Sequence, residues 1–212
     1  MPDVTTQKEL GGPMELKTLL CDFAEALRQV DGAGPQHITP KGRPYQPGIG
    51  PHPEDVAVKL ILNKMQLLHP SVYAKARTQV PYKNSKPKCD LVVGEPAQWR
   101  VEVKMARVYG DNNRPDDTGV KDVISPFAVD RSALADCSKL VALGGDARCA
   151  VLIYGFDAPD RPVAELIAAF EILARQRVLL GERHQEKLEN LVHPVHRNGG
   201  VFAWEVGSLP VA

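Results

Sequence analysis

The chain has 212 residues, 43% of them hydrophobic, which is enough for one domain with a substantial apolar core. Its 26 basic and 26 acidic residues cancel, so any affinity for nucleic acid must come from local patches and not from bulk charge. The four cysteines contain no CxxC pair, which excludes a zinc-ribbon or disulfide framework, and no segment resembles a signal peptide or a membrane span. We therefore expect a cytoplasmic protein without a membrane partner.

The first part of the chain, residues 1–50, is predicted to hold one helix and a loop rich in Gly and Pro. Residues 1–13 are expected to be irregular, and apolar residues then recur at helical spacing from Met14 to Val30. Gly and Pro dominate from there to Pro53, which predicts a connecting loop. Residues 51–212 are predicted to form an α/β domain that begins with a helix from Glu54 to Leu68.

The rest of the chain alternates between predicted strands and helices. A strand is expected over 72–82, a polar loop over 109–118, and a helix capped by Asp130 before Gly144. The apolar run Cys149–Phe156 predicts a central strand buried on both faces. Asp160 and Pro162 open a further helix, residues 180–198 are ambiguous, and 200–206 predict a final strand. The order predicts a mixed central sheet flanked by helices, with an added N-terminal helix.

A β-hairpin from Lys88 to Met105 carries the main functional signal. Two apolar segments flank a loop that contains Gly and Pro, which is typical of antiparallel strands joined by a short turn. If Val93 pairs with Trp99, then Asp90 lies opposite Glu102 on one face. Opposed side chains are about 5 Å apart at Cβ, and opposed like charges are destabilising. Two carboxylates there favour a bound Mg²⁺ or Mn²⁺, which prefer oxygen ligands.

Lys104 follows Glu102 by two residues and therefore lies on the same strand face. Its ammonium group could help to activate a water molecule or stabilise developing negative charge. The alternative is a solvated sheet face on which Glu102 and Lys104 form an ordinary salt bridge.

Asp90 followed by Glu102-Val103-Lys104 on the next strand resembles the motif of the PD-(D/E)XK, or restriction-endonuclease-like, nucleases. In this chain Lys88-Cys89 replaces the proline that usually precedes the aspartate. Without its first helix, the predicted element order is similar to the αβββαβ core of that superfamily. The resemblance implies a Mg²⁺-dependent endonuclease that hydrolyses phosphodiester bonds, with DNA as the expected substrate, in restriction, defence or repair.

The resemblance also implies further site residues. It adds the Val103 carbonyl as a metal ligand and a glutamate from the first core helix. Glu54 is the candidate for that glutamate, with Asp55 as the near alternative. An acid in a first helical turn is favoured by the helix dipole in any case. Lys139 resembles a lysine often seen on a later helix of the superfamily.

A basic segment leads into the hairpin and contains no acidic residue between Tyr73 and Asp90. It is a candidate surface for tracking nucleic-acid phosphates, although charge runs are commonly solvated faces. Its members are Lys75, Arg77, Lys83, Lys86 and Lys88.

Two other functions remain open from the sequence. The first is a non-catalytic nucleic-acid-binding or protein-assembly module on the same fold, since fold does not fix function. The second is a metal-binding regulator that uses His193 and His196, although surface histidines are the expected state of these residues and of His184. A homodimer or a partner subunit is compatible with either, and no ATP-binding P-loop is present.

Overall fold

The computed structural model describes residues 14–38, 41–158 and 160–209, so the predicted irregular segment 1–13 lies outside the described residues. The predicted fold class is confirmed: a mixed central sheet of seven strands is flanked by helices, and an N-terminal helix is present. No helix in the described ranges is long and apolar enough to cross a membrane.

Helices and strands alternate along much of the chain. The helices are α1 (Leu16–Gly32), α2 (Glu54–Leu68), α3 (Pro70–Tyr73), α4 (Asp117–Ile124), α5 (Ala133–Leu143) and α6 (Val163–Ala174). The strands are β1 (Gln36–Ile38), β2 (Pro44–Pro47), β3 (Arg77–Pro81), β4 (Lys88–Val93), β5 (Trp99–Arg107), β6 (Arg148–Phe156), β7 (Leu179–Leu180), β8 (His184–Leu188) and β9 (Gly199–Gly207). From α2 to β6 the order contains the predicted helix, three strands, helix and strand, with α3 and α4 inserted.

The central sheet is ordered β3-β4-β5-β6-β9-β7, and β8 also pairs with β9. Strands β3, β4 and β5 form an antiparallel meander, whereas β5 and β6 are parallel. The pairing of Val93 with Trp99 that the sequence predicted is confirmed. Outside this sheet, β1 and β2 form a short antiparallel pair within the predicted connecting loop.

Several local predictions are wrong, and each has a local cause. Residues 72–82 are not one strand, because Pro70 begins the short helix α3 and β3 starts only at Arg77. The predicted loop 109–118 ends in α4, where the Asp116 side chain caps the helix by accepting the Thr118 N–H. Ser132, and not Asp130, occupies the N-cap of α5.

The sheet separates two apolar clusters. One cluster lies under α1 and α2 and receives Trp99, Val101, Val103 and Met105, the alternate residues of β5 that the sequence placed on one face. The other lies under α4, α5 and α6. Because the buried residues of α1 belong to the first cluster, this helix packs into the same core as the sheet.

Leu19 on α1 is fully buried, whereas Leu67 on α2 has a relative exposure of 76%. Leu19→Ala is expected to lower the free energy of unfolding by about 2–5 kcal/mol, because it removes buried methyl groups and leaves a cavity. The matched variant Leu67→Ala should change it by less than about 0.5 kcal/mol. Urea denaturation followed by circular dichroism measures both, and equal midpoints would contradict the packing of α1 on the core.

Candidate active site

The candidate site is built along an edge of β5 beyond the point where its pairing with β4 stops. The β4–β5 ladder extends from Val93↔Trp99 only to Leu91↔Val101. Beyond it, the backbone N–H of Val103 donates to Asp90 Oδ2 at 3.0 Å, and that of Met105 donates to Glu54 Oε2 at 2.6 Å. Two carboxylates therefore continue the hydrogen bonding that a strand would otherwise supply.

Asp90 is directed to this edge by a distortion in the adjacent strand. Gln79 on β3 has a φ of 54°, in the left-handed region that non-glycine residues rarely adopt, and its Nε2 donates to Asp90 Oδ1 at 2.9 Å. The carboxylate thus accepts bonds from both neighbouring strands. The sequence placed Asp90 directly opposite Glu102, but the paired ladder stops at Leu91, and Asp90 instead binds the backbone of the residue after Glu102.

Glu54 reaches the same edge from the first turn of α2. Its Oε1 accepts a hydrogen bond from Lys104 Nζ at 3.1 Å. Burial raises the pKa of Glu54 to about 7, and the positive charge of Lys104 opposes that rise. Glu54 therefore contacts the strand backbone and the lysine, while the alternative Asp55 is exposed at the cleft wall.

Glu102 is only 1% exposed, so the solvated sheet face considered from the sequence is not the environment of this residue. Tyr82 donates its hydroxyl proton to Oε1, and Lys139 on α5 donates to Oε2 at 2.7 Å. Burial, together with the nearby charges of Asp90 and Asp136, raises the pKa of Glu102 to about 8. Burying a carboxylate costs free energy unless hydrogen bonds and opposite charges offset it. Here Tyr82 and Lys139 provide that compensation.

Lys104 pairs with acids from two helices and not with Glu102. Its Nζ lies 3.1 Å from Glu54 Oε1 and 3.5 Å from Asp136 Oδ2, and the side chain is 12% exposed. Burial acts to lower the pKa of Lys104, but the charges of Glu54 and Asp136 outweigh it and raise the pKa. Lys104 is therefore held in its charged form.

Asp136 is the central residue that sequence reasoning missed. It lies one turn before Lys139 on α5, and its Oδ1 is 2.7 Å from Lys139 Nζ. Burial raises its pKa, while Lys104 and Lys139 counteract that effect. The i,i+3 spacing of Asp136 and Lys139 was the available signal, since such residues share a helix face. Tyr82 and Gln79 were also missed, because neither residue type stands out in a strand or turn.

These side chains surround an open cleft of about 770 Å³. Of the predicted basic segment, Lys86 and Lys88 line the cleft and are exposed, whereas Lys75, Arg77 and Lys83 are exposed but do not line it. Arg131 adds a further positive charge to the wall. The remaining lining residues are Glu54, Asp55, Gln79, Pro87, Asp90, Glu102, Lys104, Ala135, Asp136 and Lys139.

The cleft brings together oxygen donors of the kind that divalent cations prefer. Salt bridges join Lys104 and Lys139 to three carboxylates, and Asp90 lies beside them, so these four carboxylates when ionised carry two more charges than the two lysines neutralise. The carboxylates are those of Glu54, Asp90, Glu102 and Asp136. The N–H and C=O of one strand residue point to the same edge, so the Val103 carbonyl faces the Asp90 side. Carboxylate and carbonyl oxygens are the ligands that Mg²⁺ and Mn²⁺ prefer.

A second cluster joins Asp111, His193 and His196. The two histidines, expected at the surface, are 0% and 2% exposed. Asp111 Oδ1 lies 3.0 Å from His196 Nε2 and 3.9 Å from His193 Nε2. Burial lowers the pKa of His193 to about 4, and the hydrogen bond from His196 holds the pKa of Asp111 low.

The tautomer of His193 does not fit a metal in this second cluster. Its Nδ1 accepts the backbone N–H groups of Val195 and His196, both at 3.1 Å, so the ring proton is on Nε2. An Nε2 that carries a proton has no lone pair for a cation. The cluster instead ties the loop between β8 and β9 to Asp111, which also lies 3.8 Å from Arg107.

No protein-family model, curated protein or solved structure matches the chain. Function is therefore inferred from the residues of the cleft.

Proposed function

We propose that this protein is a divalent-metal-dependent phosphodiesterase that cleaves nucleic acid, with DNA as the first substrate to test, and that it belongs to the PD-(D/E)XK superfamily. The observation that carries the proposal is the convergence of Glu54, Asp90, Glu102 and Lys104 on the open edge of β5. They come from a helix and two strands in the order that the superfamily resemblance implies. The cleft opens between basic side chains, as a polyanionic substrate requires.

In this proposal Asp90, Glu102 and the Val103 carbonyl hold the metal, with Glu54 beside them. A bound Mg²⁺ or Mn²⁺ supplies Lewis-acid stabilisation of the charge that develops on the scissile phosphate. The protein contributes fixed positive charge: Lys104 is held protonated by its two acids, which supports electrostatic stabilisation and not proton abstraction as its role. Lys139 and Asp136 orient Glu102 and Lys104 from α5.

One observation favours the alternative of a non-catalytic module. Both Glu102 oxygens already accept bonds, from Tyr82 and from Lys139. These contacts compete with a metal for the Glu102 oxygens, and if they outcompete it the cluster is a buried ionic network. Such a network would leave the basic cleft rim as a binding surface for nucleic acid without cleavage.

Metal-dependent cleavage separates the two functions. Supercoiled plasmid, linear duplex, single-stranded DNA and RNA are incubated with the protein in Mg²⁺, in Mn²⁺ and in EDTA. If the protein is a phosphodiesterase, we expect cleavage products in Mg²⁺ or Mn²⁺ and none in EDTA. The isosteric variant Glu102→Gln should give no cleavage products in either metal. Intact substrates under every condition, with retention of labelled DNA in a mobility-shift assay, would support the binding module instead.

The basic rim of the cleft makes a separate prediction about substrate contact. Lys86→Glu combined with Lys88→Glu should weaken duplex DNA binding and flatten the slope of log K against log salt by roughly 2 units, because each lost phosphate contact changes it by about 0.9. The matched control is Lys75→Glu with Lys83→Glu, two exposed lysines of the same segment that do not line the cleft. Fluorescence anisotropy at several salt concentrations gives the slopes, and equal slopes for both double variants would contradict this assignment.

A further inference from the structure

We infer that the loop from Ser125 to Ser132 is a base-stacking element and that the cleft takes strands with unpaired bases. This inference rests on the proposed function and names its substrate class. Phe127 and Val129 project from the loop with relative exposures of 66% and 84%. The two residues stand two positions apart on one loop, so together they present a small apolar surface to solvent.

The loop is held in a defined conformation by its own polar residues. Ser125 Oγ donates to Asp130 Oδ2 at 2.5 Å and accepts the Phe127 N–H at 3.3 Å. Ser132 Oγ donates to the Ser125 carbonyl at 2.7 Å. A rigid loop loses little conformational entropy when it binds, which suits an apolar contact element.

The same loop reaches the cleft through Arg131. This residue is exposed, lines the cleft with Asp90 and Lys104, and has a φ of 50°. Left-handed backbone at a non-glycine residue is costly and is commonly found at binding and active sites. Since consecutive Cα atoms are about 3.8 Å apart, Val129 and Phe127 lie within about 8 and 15 Å of Arg131 along the chain.

The occupant that fits this combination is an unpaired nucleobase. Arg131, Lys86 and Lys88 provide positive charge for the phosphates along the rim, and Phe127, four residues before Arg131 on the same loop, provides an exposed aromatic face. Aromatic side chains stack on bases of any sequence, but the faces of a base within a duplex are covered by its neighbours. The arrangement therefore favours single strands, flaps and distorted duplexes over intact duplex DNA.

The test measures binding in Ca²⁺ and in EDTA, with single-stranded and duplex oligonucleotides of one sequence that carry 2-aminopurine. We expect tighter binding of the single strand by the unmodified protein. Phe127→Ala should weaken that binding by about 5- to 150-fold and reduce the change in 2-aminopurine fluorescence, with duplex binding nearly unchanged. Phe127→Trp should retain stacking. The control Ile172→Ala removes an apolar side chain of similar exposure from α6, an element that does not carry Arg131, and should bind as the unmodified protein does.

Binding and cleavage are scored separately, so the two proposals can fail independently. Single-strand binding that Phe127→Ala weakens supports the stacking loop even if no substrate is cleaved. If Phe127→Ala changes neither cleavage nor single-strand binding, the proposed stacking role of the loop is overturned and the proposed function is not. A protein that binds no nucleic acid overturns both. Sedimentation velocity tests whether a second copy of the protein binds the loop instead. If the protein is a dimer that Phe127→Ala dissociates, and DNA binding does not change, the loop is a dimer contact and the inference is overturned.

Discussion

Replacing Lys104 with Met is expected to slow single-turnover DNA cleavage by about 10² to 10³, because one preorganised charge is lost from the transition state. The same change removes a buried partner of Glu54 and Asp136. It should therefore also destabilise the metal-free protein, by on the order of 3 kcal/mol. Single-turnover kinetics in Mg²⁺, run well below the midpoint of a parallel thermal melt, separates the loss of rate from unfolding.

Two lysine variants control this experiment. Lys104→Arg keeps the positive charge and should regain part of the stability, but it should not restore the rate, because a planar guanidinium cannot reproduce the position of a compact ammonium group. Lys59→Met makes the same replacement at an exposed position of α2 and should leave both rate and stability near those of the unmodified protein. Cleavage by Lys104→Met at the unmodified rate would show that the lysine has no part in the reaction.

Asp90→Asn is expected to weaken Mn²⁺ binding by at least about 100-fold and to abolish cleavage. The amide is nearly isosteric and can still accept the Val103 N–H, but it removes one of the negative charges that the cation would neutralise. Loss of residues that merely orient a ligand already costs 10- to 100-fold in metal affinity, so loss of a ligand should cost at least as much. Isothermal titration calorimetry with Mn²⁺ measures the affinity directly.

Asp55→Asn is the matched control, since it makes the same chemical change at an exposed acid on the wall of the same cleft. Its Mn²⁺ affinity should equal that of the unmodified protein. A shared loss of affinity in both variants would indicate a general charge effect and not a site at Asp90. Unchanged binding by Asp90→Asn would remove the metal from this position.

Several features of the fold were predictable because their signals are local. The helix Glu54–Leu68 has the predicted bounds, and the hairpin has the predicted register at Val93 and Trp99. In both cases the periodicity of apolar residues and the adjacent Gly and Pro determine the element. The strand β6 follows from an unbroken apolar run, whose length favours a strand covered on both faces.

The environment of the site was not predictable in the same way. The alternation of β5 identifies Glu102 as facing away from Trp99, but it cannot show whether that face meets water or protein. The face is buried because Tyr82 and Lys139, 20 residues before and 37 residues after Glu102, pack against it. His193 and His196 likewise meet Asp111, which is 82 and 85 residues away in sequence, and His196 packs on Phe156.

The sequence by itself determined which strands form the hairpin, which carboxylates and lysine it presents, and the α/β class of the fold. Only the tertiary structure decided their partners: Asp90 with the Val103 backbone, Lys104 with Glu54 and Asp136, and Glu102 with Lys139. The physical reason is the separation in sequence between the residues that determine each property. Side-chain periodicity is set by neighbouring residues, whereas the desolvation that raises the pKa values of Glu54 and Glu102, and the lysine pairing that opposes this rise, arise from segments that meet only when the chain has folded.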